Sequence, residues 1–128
     1  MLRVILLRHG ETAYNADGNR YCGRTDIGLT EKGLAQAAKI FTALKDVHID
    51  AVYSSPLQRA RKTAEIASGN HSVITDDRLI EADFGLWEGK TKEEFNAEDP
   101  ALRANRLGLL ASLHIAMNRV ADLARIAA

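Results

Sequence analysis

The sequence predicts an α/β domain of three layers, with helices on both faces of a mainly parallel sheet, and three observations carry that expectation. Short β-branched or aliphatic runs alternate with stretches whose apolar residues recur every three or four positions. The first such run ends near a glycine, as a strand buried on both faces does where it enters a loop. The 128 residues, 46% of them hydrophobic, suit a single domain, residues 1–128, that closes its own core.

Arg3-Val4-Ile5-Leu6-Leu7 is the expected central strand. Residues 11–29 are polar and rich in Asn, Asp, Gly and Arg, and read as a loop. Thr30 stands where a helix cap belongs, before Leu34, Ala37, Ala38, Phe41 and Leu44 at helical spacing, so a helix runs to about Asp46 with one side on the sheet. Residues 49–53 give a second strand, and Pro56 opens a helix through Ala67. Val73 and Ile74 mark a third strand; strand, helix, strand in this order implies parallel connections. Residues 79–89 read as a loop, after which Thr91 caps a short helix to about Glu98. Pro100 resets the chain, and Leu110, Leu113, Met117, Val120, Ala124 and Ala127 outline a last amphipathic helix.

Basic and acidic side chains balance at 17 each, so no global field favours nucleic acid or an anionic membrane surface as a partner. The halves differ: residues 1–62 hold 10 basic and 6 acidic side chains, residues 63–128 hold 7 and 11, leaving +4 and −4. Arg8, Arg20, Arg24, Arg59 and Arg61 lie near expected element ends, which suits a pocket for a small anion. Cys22 is the single cysteine, excluding a disulfide framework; with no membrane-length apolar run and charges where a signal peptide is apolar, the expectation is a cytoplasmic protein. His48, His71 and His114 show no metal-ligand spacing with one another or with Cys22, and no metal is assigned.

Ligands of parallel α/β sheets bind beyond the carboxyl ends of the strands, which brings together the loops starting at Arg8, Ser54 and Glu81. In the first, a neutral His9 imidazole is a nucleophile near pH 7, Arg8 offers a fork matched to phosphate oxygens, and Gly10 admits close approach. The bland alternative is a strand-end histidine bonded to a backbone carbonyl beside a solvated arginine. In the second, a helix starting near Pro56 offers free amide donors and Arg59 one turn inside reaches an anion, or Arg59 is an exposed helix arginine. In the third, Glu81 among apolar neighbours is the candidate proton donor, Asp83 and Glu88 compete for the role, and surface loop charge is the alternative for all three.

Leu7-Arg8-His9-Gly10-Glu11-Thr12 with Asn15, Gly23-Arg24-Thr25-Asp26, Leu29-Thr30-Glu31-Lys32-Gly33, Ser54-Ser55-Pro56-Leu57-Gln58-Arg59-Ala60 with Thr63-Ala64, Glu81, and Phe84-Gly85-Leu86-Trp87-Glu88-Gly89 together resemble the histidine phosphatase superfamily. The likeness spans roughly residues 2–95, implies a phosphoglycerate mutase-like fold, and leans toward the phosphatase branch that includes α-ribazole phosphatase. It implies a phosphomonoesterase for a small phosphorylated metabolite, α-ribazole 5'-phosphate being the finer expectation. His9 would take the phosphoryl group, Arg8 and Arg59 would bind its oxygens, Asn15 would assist and Glu81 would protonate the leaving alcohol, with no cofactor. Tyr21, Gly23 and Arg24 are candidate substrate contacts, or members of a surface loop. Phosphoglycerate mutase-type transfer is the alternative activity.

The family pattern continues to a second histidine in a Ser-His-Gly-like string, which this sequence lacks; His114 falls in the expected last helix. The resemblance therefore implies a chain short at its C-terminal end, with a strand missing beside the first one. Unpaired backbone and apolar surface would follow, to be covered by a homodimer or strand exchange. Losing one pocket cation would cost about 100-fold or more in rate, so a catalytically weak or inactive member that binds a phosphorylated ligand or partner is the third reading.

Overall fold

The computed structural model describes residues 1–98; the expected reset at Pro100, the last helix from Leu110 to Ala127 and His114 lie outside the described residues. Thr30 caps α2 (Glu31–Leu44) by accepting the Gly33 amide at 3.1 Å, as the sequence predicts. Strand β1 (Val52–Ser54) leads into α3 (Gln58–Ala67) and then β2 (Val73–Thr75), and β1 pairs with β2 in parallel, Tyr53 opposite Ile74. The class and the parallel connection are thus those expected. Helix α3 lies on this ladder, and α2 packs on α3.

Several boundaries move. The second strand begins at Val52, not residue 49, and it includes Ser54 because the Asp76 amide donates to the Ser54 carbonyl and continues the ladder. Pro56 precedes α3 instead of opening it: Leu57 is the cap residue, extended and without a side-chain cap bond of its own. A short helix, α1 (Ala13–Ala16), sits inside the stretch read as loop, closed by a capping box between Thr12 and Asn15. Two 3-10 turns, Asp77–Leu79 and Gly85–Trp87, shape the later loop, and Thr91 caps α4 (Lys92–Ala97) with Glu94 as its reciprocal partner.

The expected central strand at residues 3–7 is not formed among the described residues. It is not part of the β1–β2 ladder, and its side chains are exposed, Leu6 most of all at 72%. Composition marked it as an apolar run, but a strand exists only where a neighbour accepts its ladder bonds, and among the described residues none does. Tyr53 and Ile74, cross-strand neighbours, are likewise half-exposed at 49% and 48%. The core lies elsewhere, in two places. Ala37 of α2 and Ala67 of α3 are inaccessible where the two helices meet. Trp87 and Phe95 stack at 4.2 Å between ring centres, with Tyr21 5.3 Å from both Phe84 and Trp87.

Helix α2 is seated on the His9 loop through two facing glycines. A Cβ on Gly33 would stand 2.2 Å from the Glu11 carbonyl oxygen, and one on Gly10 would stand 2.5 Å from the Gly33 carbonyl oxygen. Around them Thr30 donates to a Glu11 carboxylate oxygen at 2.9 Å and Lys32 pairs with the other at 2.9 Å. Gly33→Ala must therefore push α2 off the loop, and a loss of about 1–3 kcal/mol in urea unfolding is expected; an unchanged midpoint would contradict this packing.

Candidate functional site

His9 is half-buried and its Nδ1 lies 2.7 Å from the Gly10 carbonyl oxygen. A carbonyl only accepts, so Nδ1 carries the proton and Nε2 keeps the lone pair. Burial pushes the His9 pKa below its ordinary 6.5; the Gly10 bond and the Glu81 charge oppose this, and the Arg59 and Arg8 charges reinforce it. Three of the expected site residues, Arg8, Arg59 and Glu81, are thus near enough for their charges to act on a fourth, His9. The carbonyl-bonded histidine of the bland reading is real, and it is also what a nucleophilic Nε2 requires.

The link between His9 and Arg59 runs through α3. The Gly10 amide donates to the Thr63 hydroxyl at 3.0 Å, and that hydroxyl donates to the Arg59 carbonyl at 2.7 Å. Thr63 is buried, so the histidine loop and the turn bearing Arg59 share one dry hydrogen-bonded joint. Its place in the Thr63-Ala64 pair was visible in the sequence; its function as a joint was not.

Arg59 is 2% exposed, which removes the reading of a surface arginine. Its Nη1 donates to the Thr25 carbonyl at 2.9 Å, and its Nη2 to the carbonyls of Gly23 at 2.8 Å and Cys22 at 3.3 Å. Three of the five guanidinium donors are so used, leaving two for other partners. Arg8, by contrast, is exposed. The free amides expected at the start of α3 are partly spent: Gln58 donates its amide to Asp26 Oδ1 at 2.8 Å, a cap supplied from the distant loop. Of the other arginines singled out, Arg20 is held by Asp17 and Glu94, both at 2.7 Å, Arg61 faces Glu65 at 3.5 Å, and Arg24 is exposed.

Asn15 accepts the Thr12 amide and hydroxyl on Oδ1, each at 3.0 Å, so its oxygen serves the α1 cap. Tyr21 lies in the aromatic cluster, tied by its amide to the Lys90 carbonyl and by its carbonyl to the Gly89 amide, both at 2.9 Å. Gly23 is buried where a Cβ would stand 2.0 Å from the Ala82 carbonyl oxygen and 2.5 Å from Glu88 Oε1, so it admits a close crossing of two loops. Glu81 accepts its neighbour's amide, Ala82, at 2.9 Å. Asp83, exposed, accepts the Gly85 amide at 2.8 Å. Burial works to raise the Glu88 pKa, but the Thr25 hydroxyl and the amides of Arg24, Phe84 and Gly23 outweigh it and hold the carboxyl below its usual range. A carboxylate held ionised in this way is a poor proton donor, while Glu81 is the acid whose charge acts on His9. Among the described residues no three His, Cys, Asp or Glu side chains gather as a metal-binding group, and no helix is long and apolar enough to cross a membrane.

Residues 4–123 match the family model of the histidine phosphatase superfamily, branch 1. The chain belongs to that superfamily. It is 44% identical over 102 residues to phosphoserine phosphatase 1 of Hydrogenobacter thermophilus, covering 78% of this chain and 48% of the relative. A protein of Erwinia tasmaniensis assigned as a phosphoglycerate mutase is 41% identical over 105 residues, 80% of this chain and 48% of its own. The solved structure of an Escherichia coli K-12 protein assigned as an alpha-ribazole-5'-P phosphatase superposes with a TM-score of 0.70 at 35% identity, covering 77% of this chain and 50% of that one. The chain spans about half the length of the curated relatives it matches.

Thr63→Val keeps the shape of the joint and leaves the buried Gly10 amide without its partner. A loss of about 1–3 kcal/mol in stability is expected from that orphaned donor, together with a change in the His9 titration measured by proton NMR. A variant with wild-type stability and an unmoved His9 titration would show that the joint holds nothing.

Proposed function

We propose that the protein is a phosphomonoesterase that hydrolyses a small phosphorylated metabolite through a phosphohistidine at His9. The observation that carries this is the single orientation of His9, protonated on Nδ1 and depressed in pKa beside two arginines, in a chain of the histidine phosphatase superfamily. Nε2 attacks the phosphorus in line with the ester oxygen; the N–P bond forms as the P–O bond breaks, and the departing alkoxide takes a proton from Glu81. Water then attacks phosphohistidine, giving a proton back to Glu81 and releasing inorganic phosphate. Arg8, reachable from solvent, meets the phosphoryl oxygens, while Arg59 contributes a positive charge fixed by the loop carbonyls.

The finer proposal for the substrate is α-ribazole 5'-phosphate. Its support is the likeness to the Escherichia coli protein and the Phe84-Gly85-Leu86-Trp87-Glu88-Gly89 string. Phosphoserine, named by the Hydrogenobacter relative, is the competing substrate, and the Erwinia relative motivates transfer to a second hydroxyl of the same molecule.

The test is turnover of an aryl phosphate, α-ribazole 5'-phosphate, phosphoserine and 3-phosphoglycerate, scoring both released phosphate and isomerised product. Phosphate release that is abolished by His9→Ala, with α-ribazole 5'-phosphate the preferred ester, is expected. Isomer without phosphate would establish the mutase reading, and retained ligand affinity without turnover a binding role. Because the attacking imidazole must be neutral and burial lowers its pKa, kcat/KM is expected to rise with pH through a midpoint below 6.5. A rising limb centred above that value would contradict the assignment.

A further inference from the structure

The most densely bonded carboxylate near the site is not one the reaction consumes. Glu88 follows the 3-10 turn Gly85–Trp87, anchored by buried Trp87, and points back across the chain to residues 23–25. Its Oε1 accepts the amides of Gly23 and Arg24, both at 2.9 Å, and of Phe84 at 3.2 Å. Its Oε2 accepts the Thr25 hydroxyl at 2.7 Å and the amides of Gly23 at 3.1 Å and Thr25 at 3.4 Å. Three successive amides on one carboxylate form an anion-holding concavity of backbone. Gly89, at φ +76°, turns the chain immediately after Glu88 and returns its amide to the Tyr21 carbonyl, which closes the crossing from the other side.

The same stretch of loop faces Arg59 with its carbonyls. Cys22, Gly23 and Thr25 each give their oxygen to the guanidinium, while Gly23, Arg24 and Thr25 give their amides to Glu88. The peptide units of residues 22–25 therefore lie between an anion on their N–H side and a cation on their C=O side, each polarising them in the sense that strengthens the other's bonds. Without the anion the amides of residues 23–25 lose their shared acceptor, and the loop is held at its ends by the Tyr21 and Asp26 bonds and at its centre by Arg59. Arg59 would then rest on carbonyls that are free to shift.

We propose that Glu88 is a positioning residue of the site: it clamps the 22–25 loop from the amide side so that the loop's carbonyls hold the Arg59 guanidinium in place next to His9. Glu88 touches neither substrate nor reacting atoms, and acts through the loop and Arg59. The inference rests on the phosphatase reading for its rate readout alone.

The test is Glu88→Gln, which keeps the shape but turns an amide NH2 toward backbone N–H donors, in a double-mutant cycle with Arg59→Gln. Folding is checked by circular dichroism and thermal melting, and Thr25→Val, which removes only the 2.7 Å hydroxyl bond, is the milder variant should Glu88→Gln not fold. Two quantities are read: kcat/KM on an aryl phosphate, and the His9 pKa by proton NMR in the absence of any ligand. The charges acting on His9 are those of Arg59, Arg8 and Glu81. Deleting a negative charge at residue 88 would, acting directly, lower the His9 pKa; displacing Arg59 raises it, so the sign separates the two. Expected are a rise in the His9 pKa, a fall in kcat/KM of up to about 100-fold, and no further change of either on adding Glu88→Gln to Arg59→Gln. An unmoved or lowered His9 pKa in a folded variant, or effects that simply add in the double variant, would overturn the proposal. Absence of wild-type turnover would count against the phosphatase reading, while the His9 titration would still decide the role of Glu88.

Discussion

A guanidinium cannot be left dry without partners, and much of this structure is the consequence of burying one. Removing the Arg59 charge from water costs several kcal/mol unless its donors are satisfied. Three carbonyls from residues 22–25 satisfy them, which forces that loop to curl with its oxygens inward. The curl turns its amides outward to Glu88 and demands a glycine at residue 23, where the loop crosses Ala82 with no room for a Cβ. Asp26, one residue beyond, is then placed to cap α3, the helix that carries Arg59 itself. The loop and the helix thus determine each other.

Electrostatically the arrangement leaves His9 with a surplus of positive neighbours. Burial and the two arginines disfavour a second proton on the ring, while the Gly10 bond and Glu81 oppose the effect. In the proposed reaction, that is the condition for an imidazole to attack phosphorus near neutrality, and for the positive charge to be present before the phosphoryl group arrives. The two arginines differ in exposure. Arg8 is open to solvent, and Arg59 is fixed by backbone carbonyls.

What the sequence revealed follows the range of the forces involved. Helices α2 and α4 were legible from Thr30 and Thr91 because a cap bonds three residues away, within reach of a local pattern. The parallel β1–α3–β2 unit was legible from alternation, with boundaries shifted by two or three residues. Residues 3–7 were not, because apolar composition says nothing about whether a ladder partner is present. That Arg8, Arg59 and Glu81 come near enough to act on His9 was expected from residue type and loop position, and from resemblance to the family. The inward turn of Arg59, the Thr63 joint and the ionised state of Glu88 were not, since each depends on partners between 34 and 65 residues away. Tyr21 illustrates the same limit: its loop position suggested a ligand contact, and its packing against Phe84 and Trp87 was not legible.

The central claim is that His9 is a phosphoryl acceptor held in one tautomer by Gly10. Phosphorus NMR of the protein mixed with an aryl phosphate tests it directly. A phosphohistidine linked through Nε2, lost in acid, stable in base and absent from His9→Ala, is the expected result. Phosphorylation through Nδ1, at another residue, or none at all in a folded sample would contradict the account.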